Sequence, residues 1–463
     1  MFVGVFVLMA LAGTRQPVPE MNSLISSQTD WVIGSLPFVL LLTAMAVLPL
    51  IPQVEMWWER NATKLLVSGI LGLLTLAWIA WRTGTPTACV AASHAVHEYV
   101  PFLVLLFSLY MISGGVHVAG RVRASTTCNA LVLFIGAVLA NVLGTTGASV
   151  LLIRPLLRSN AHRQHRVHTV VFFIFLVSNV GGCLLPIGDP PLFLGFLRGV
   201  PFLWTLSLWK AWLLAVGLLL ALYVAVDLWM QRHDRTTAVD EVPDPVKLHG
   251  WPSIVLLGVA VAVVGCIGPD RPIPGCTWTP PEFLREGLLL LLAGISVMAS
   301  PWSERVRQGF SSTPIVEVAA LFVGIFLTMQ VPLAVLGAKG SMLGLQQPWQ
   351  MFWWTGGLSS ILDNAPTYLV FLEVARQATP QVAATGSVML ADGSYLSSDL
   401  LTGLSLGAVF LGAMTYIGNG PNLMVRSIAC SEGVKMPGFV GYFLWAIALL
   451  LPALAIVQWA LIS

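Results

Sequence analysis

Two stretches of an otherwise apolar chain set acids, amides and hydroxyls among glycines and prolines: "SNVGGCLLPIGDPPLFLG" (178–195) and "SSILDNAPTY" (359–368). Their acids are Asp189 and Asp363. A charged carboxylate at the centre of a membrane helix costs roughly 2.5–3.5 kcal/mol, so an acid carried to that depth is a functional residue by default. An apolar surrounding favours a neutral carboxylic acid, whereas a bound cation favours the carboxylate. Amide, hydroxyl and backbone carbonyl oxygens complete the ligand set of a hard cation. They are supplied here by Ser178, Asn179, Asn364 and Thr367, by Asn141, Thr145 and Thr146 of "ANVLGTTGAS" (140–149), and by Thr415 and Asn419 of "TYIGNGPNLM" (415–424). One pocket that takes protons or a cation in turn is the site of an exchanger, with Na⁺ the expected ion at Asp189 and Asp363. No resident cofactor is expected; Na⁺ and H⁺ are cargo. Capping of a helix start is the competing role for both acids, and the prolines after Asp189 favour it there.

The backbone of these stretches is built to interrupt helices. Gly181, Gly182, Gly188 and Pro190 in one, and Pro366, Gly418 and Gly420 in the other, permit sharp turns or remove amide donors. A helix broken inside a membrane presents free amides at one new end and free carbonyls at the other, with partial charges of about half an elementary charge.

The elements that must carry these breaks follow from composition. Of 463 residues, 57% are hydrophobic and 10% charged, with a mean hydropathy of +0.84. This is an all-α polytopic membrane protein whose first partner is the lipid bilayer. Spans are predicted near 33–52, 64–82, 100–118, 169–200, 207–229, 252–268, 284–300, 314–336, 401–428 and 438–462. The stretches 127–157 and 349–375 are each interrupted at the middle. Arg121 and Arg123 precede the first of these, and Arg154, Arg158, Arg163 and Arg166 follow it. By the positive-inside rule both its ends are cytoplasmic, so it is a re-entrant hairpin. The second hairpin then opens to the outside.

The chain divides into an apolar, signal-like segment (1–30), a first transmembrane repeat (31–230), a charged linker (231–250) and a second repeat (251–463). Each repeat holds three spans, a hairpin, a broken span and a final span, in opposite orientation. Inverted repeats with discontinuous helices are a common plan for secondary transporters. "PIGDPPLFL" (186–194) echoes "YIGNGPNLM" (416–424) at the corresponding place.

Other signals are weaker. The formal charge of +2 and dispersed basic residues give no nucleic-acid surface. The six cysteines lack a CxxC pair and read as packing residues, with Cys266 and Cys276 the one pair near a shared helix end. His162, His165 and His168 read as a basic interfacial face, and His94, His97 and Glu98 as an external loop lacking a fourth metal ligand. Glu317 and Glu373 fall near membrane boundaries; Trp57, Trp58, Trp353 and Trp354 suit an aromatic belt.

At these motifs the chain resembles the ion transporter superfamily. "SNVGGCLLPIGDPP" looks like the broken-helix motif of its sodium/proton antiporter branch and "SSILDNAPTYLVF" like the second-hairpin signature. "NVLGTTGASVLLIRPLL" is most similar to a bacterial citrate transport or sodium:proton antiporter group. The resemblance implies a multi-pass protein of the bacterial inner membrane, acting as a homodimer. It departs at Gly144-Thr145, where the antiporter branch tends to carry Asp-Asn, which reduces the acid set to Asp189 and Asp363. Cation/proton exchange is the preferred function and transport of citrate or another carboxylate, including a metal–citrate complex, the alternative. An intramembrane aspartyl enzyme is the remote third, since catalysis has no need of mirrored halves.

Overall fold

The computed structural model describes residues 28–120, 124–232, 247–268, 272, 278–307, 310–382, 384 and 386–462. The signal-like segment up to residue 27, most of the linker and Cys276 lie outside them. The first half comprises α1 (Gln28–Val47), α2 (Pro52–Trp58), α3 (Asn61–Thr83), α4 (Thr85–Ser113), β1 (His117–Ala119), α5 (Thr126–Ser159), α6 (Val167–Leu176), α7 (Pro190–Leu197) and α8 (Trp209–Gln231). The second comprises β2 (Lys247–His249), α9 (Trp251–Cys266), α10 (Leu284–Ala299), α11 (Trp302–Arg307), α12 (Thr313–Thr328), α13 (Gln330–Lys339), α14 (Pro348–Ser359), α15 (Asn364–Ala378), β3 (Ser387–Met389), β4 (Tyr395–Ser397), α16 (Ser398–Leu411) and α17 (Gly420–Ser431). It closes with α18 (Phe439–Trp445) and α19 (Leu451–Leu461), which a π-helical turn over Ala446–Leu450 joins. Among the described residues six helices are long and apolar enough to cross a membrane, seven if the bent pair α12–α13 is one span.

α5 is one of the six by length, yet it is a hairpin. A straight helix of 34 residues would hold its ends about 50 Å apart. Instead the side-chain amides of Asn129 and Asn160 exchange hydrogen bonds of 2.8 and 2.9 Å. The chain turns back at Gly144, whose φ of 75° and ψ of 155° are closed to residues with a β-carbon. The second hairpin is α14 packed on α15, turning at Ser360–Asp363.

Packing between the halves is reciprocal. α3 lies on α12 and α4 on α10; α5 lies on α17 and α7 on α15; α8 lies on α19. Thus the second span of each half meets the third of the other, and each hairpin meets the other half's broken helix. Small residues allow this closeness: Ser68 of α3 sits against Gly324 of α12 and donates its hydroxyl to Ala320 O at 2.5 Å.

Several boundaries differ from the sequence expectation. α4 begins at Thr85 rather than 100, because Gly84 (φ 99°) turns the chain and Pro86 starts a helix at once. The stretch 314–336 is bent by 44° between α12 and α13. Pro332 removes the donor that Thr328 O would otherwise accept, and the Gln330 side chain donates to Phe326 O at 3.0 Å, satisfying a carbonyl near the end of α12. The linker's end forms β2, an exposed strand that pairs antiparallel with β1. Trp58 is 3% exposed and belongs to the core rather than an aromatic belt.

Candidate functional site

Asp189 stands at the N-cap position of α7, where Pro190 and Pro191 set the first helical turn. Its side chain caps nothing. It is 1% exposed, and three elements converge on it. Thr145 Oγ1, from the tip of hairpin 1, donates to Oδ1 at 3.0 Å. Asn419 Nδ2, from the second broken helix, donates to the same oxygen at 3.1 Å. Asn364 Nδ2, from the tip of hairpin 2, donates to Oδ2 at 2.9 Å. A buried carboxylate requires such donors, and these bring no compensating positive charge. Asp363, adjacent in sequence to Asn364, lies within electrostatic reach of Asp189.

Each hairpin tip is fastened to its own half's break by one backbone bond. Thr145 N donates to Gly188 O at 2.8 Å, and Asn364 N donates to Gly418 O at 3.2 Å. Gly188-Asp189 and Gly418-Asn419 are the pairs that the sequence echo aligns, so the same bond recurs at the same place in both halves. The approach is close: a β-carbon on Gly188 would lie 2.2 Å from Gly182 O, and one on Gly418 2.6 Å from Gly412 O.

The remaining polar groups tie the two breaks together. Asn179 Nδ2 donates to Asn422 Oδ1 at 2.7 Å, and Asn419 Nδ2 reaches Ser178 O and Asn179 Oδ1 at 3.1 Å. Asn422 Nδ2 holds Gly412 O and Thr415 O at 2.9 Å. Thr415 Oγ1 donates to Ser360 O at 2.6 Å and accepts from the amides of Ile417 and Gly418. In the first half Asn141 Oδ1 accepts Leu184 N at 2.7 Å, and the hydroxyls of Ser149 and Ser178 share a bond of 2.9 Å. Nearly every amide here is spent on backbone groups that a helix would have satisfied. One oxygen is left over: Asn364 Oδ1 is buried without a hydrogen-bond partner, beside Asp189.

Of the sequence candidates, Asp189, Thr145, Asn364 and Asn419 form the centre. Ser178, Asn179, Asn141 and Thr415 support it, and Thr146 is half-buried beside Thr145. Asp363 is the N-cap of α15: its Oδ1 accepts Ala365 N at 3.0 Å, and its carbonyl accepts Thr367 Oγ1 at 2.9 Å. Capping, the competing role for both acids, is taken by Asp363 and not by Asp189, despite the prolines that follow Asp189. Gly181 and Gly182 lie in a 3₁₀ turn, Val180–Cys183. Gly420 faces open space, so no close approach demands it.

The weaker signals also resolve. His94, His97 and Glu98 lie in helix α4, not in a loop, and Glu98 pairs with Arg198 at 2.8 Å. No group of three or more His, Cys, Asp or Glu among the described residues is placed to hold a metal ion. Glu317 accepts from Lys64 Nζ at 2.5 Å, and Glu373 from Gln377 Nε2 at 3.0 Å. Arg163 and His168 point inward rather than to an interfacial face, both onto Asp227, a buried acid of α8 that sequence reading passed over. Its signal was an acid one turn inside an apolar span, downstream of a loop rich in Arg and His.

Membrane-length helices, two hairpins and two interrupted helices meeting at one buried carboxyl group define a polytopic membrane protein with a buried polar centre. The chain belongs to the family described as "Putative citrate transport", which matches residues 27–462. It is a multi-pass membrane protein of a transport family. No curated protein matches it.

Proposed function

We propose that the protein is a secondary active transporter exchanging a small cation, Na⁺ first among candidates, for protons at Asp189. The observation that carries this reading is the arrangement at Asp189: a fully buried carboxyl held by Thr145, Asn364 and Asn419, next to the unpartnered Asn364 Oδ1. Among the described residues no Lys or Arg side chain bonds to Asp189 or Asp363, so the negative charge awaits either a proton or a mobile cation. Asn364 Oδ1, the Asp189 carboxylate and Asp363 are the oxygens on offer to that ion, and Asp363 keeps one of its own on the α15 cap. Reciprocal packing of the halves supports reading them as inverted repeats, which offer equivalent inward and outward states. The bacterial inner membrane and a homodimer complete the proposal.

The family description favours a second reading, transport of citrate or of a metal–citrate complex. The amides of Asn364 and Asn419 would then donate to the substrate's carboxylates while Asp189 is protonated. Proteoliposomes holding an internal pH dye separate the two. Proton movement on addition of Na⁺, Li⁺ or K⁺ is the expected result; movement in response to citrate and to no alkali cation overturns it in favour of the second reading.

A further inference from the structure

We infer that Asp227 is a positioning residue that clamps the open end of hairpin 1, so that hairpin 1 and the first broken helix move as one body throughout transport. Asp227 lies near the end of α8 and is 0% exposed. Its Oδ2 accepts Thr126 Oγ1 at 2.5 Å, from the first residue of hairpin 1. Arg163, just past the hairpin's last residue, donates through Nη1 to Oδ1 at 2.8 Å and through Nη2 to Oδ2 at 3.1 Å. His168 Nε2, on the helix leading to the break at Ser178, meets Oδ1 at 2.7 Å, and Gln231 Nε2 reaches Oδ2 at 3.3 Å. One carboxylate thus gathers both ends of the hairpin and the first arm of the broken helix. The reciprocal Asn129–Asn160 amides lie alongside, linked to the cluster by Arg163 Nη1 and Asn160 Oδ1 at 3.4 Å.

At the other pole the same two elements are joined by Thr145 N to Gly188 O, and along their flank by Asn141 to Leu184 and Ser149 to Ser178. Bonded at tip, flank and mouth, hairpin 1 has no hinge about which to leave its broken helix, and Thr145 stays on Asp189. Hairpin 2 is closed differently. Gln347 and Gln350 form a capping box at its start, and near its end Arg376 pairs with Asp392 in an exposed setting. Among the described residues no buried ion pair joins its arms. A charge-assisted, buried set of bonds resists opening more than exposed pairs do, so any hairpin opening in the cycle falls to hairpin 2.

The inference rests on the reading of the chain as an alternating-access transporter, not on which solute it carries. The test uses the full chain in proteoliposomes, its native cysteines replaced, with Asn129→Cys and Asn160→Cys joined by a short thiosulfonate cross-linker. Uptake is followed with whichever of Na⁺ or citrate the protein carries. Cross-linking should leave the rate within about twofold, whereas Asp227→Asn should lower it by about tenfold or more and raise KM. Cross-linking in the Asp227→Asn background should restore most of that loss, a rescue no general stability role provides. Transport abolished by the cross-link with Asp227 intact overturns the clamp, as does an Asp227→Asn protein that folds but is not rescued. Should Asp227→Asn fail to fold, the cross-link with Asp227 intact decides alone. A failure of cation exchange in favour of citrate leaves both arms of this test in force.

Discussion

Asn364 Nδ2 donates to Asp189 Oδ2 at 2.9 Å, joining residues 175 positions apart and placing the tip of the second hairpin on the acid of the first broken helix. The bond leaves Asn364 Oδ1 buried and free of partners, an acceptor open to a cation or a hydrogen-bond donor. Asn364→Ala removes both atoms. It should raise KM for the carried cation by about tenfold, equivalent to ~1.4 kcal/mol, with insertion unchanged. A titration of exchange rate against cation concentration checks this, and an unaltered KM would detach Asn364 from the site.

Asp363 separates into two roles by substitution. Asparagine caps a helix as well as aspartate, so Asp363→Asn should preserve stability, while Asp363→Ala should lose about 1 kcal/mol through the α15 cap. If the charge also serves the ion, Asp363→Asn loses exchange by about tenfold or more. Thermal unfolding and exchange measured on both variants distinguish cap from ligand; full exchange in Asp363→Asn leaves it a cap alone.

The glycines that the sequence singles out are unequal. A β-carbon at position 188 collides with Gly182 O at 2.2 Å, whereas at position 420 it meets nothing within 4 Å. Gly188→Ala should therefore cost about 1–3 kcal/mol or more and reduce the yield of folded protein. Gly420→Ala, at the first position of α17, should be tolerated or gain up to ~1 kcal/mol. Detergent-solubilised melting of the two variants makes the comparison, and equal losses would refute it.

How much of this was legible in the sequence depends on contrast. In so apolar a chain each polar residue beside glycine or proline marks a break, so hairpins, broken helices and the site residues at 141–146, 178–189, 363–367 and 415–419 stand out. The division of labour between Asp189 and Asp363 did not, because capping depends on backbone angles that two following prolines only suggest. Asp227 was passed over, since nothing local reveals that Thr126, Arg163 and His168 fold back onto it. The bend between α12 and α13 was missed for a similar reason: nothing local to 314–336 shows that the Gln330 side chain folds back onto Phe326 O.

On the face formed by β1 and β2 the rings of His117 and His249 stack at 4.8 Å, 8° from parallel. Burial, with the charge of His249 adding and Glu304 opposing, holds His117 below the usual histidine value. The separated strands then bind more protons than the paired ones, so the pairing is complete above pH ~6.5 and weakens as pH falls through the lowered value. Hydrogen exchange at Val118 and Leu248, corrected for intrinsic rates, should accelerate on acidification, and His117→Gln should remove that acceleration. Exchange indifferent to pH would leave the stack without a titrating role.

The competition at Asp189 is open to direct measurement. Na⁺ added to the purified, weakly buffered protein in detergent should displace protons, read by a pH dye, and the release should vanish in Asp189→Asn. No release from the unaltered protein, or an equal release from Asp189→Asn, would contradict the assignment of Asp189 as the group that cation and proton share.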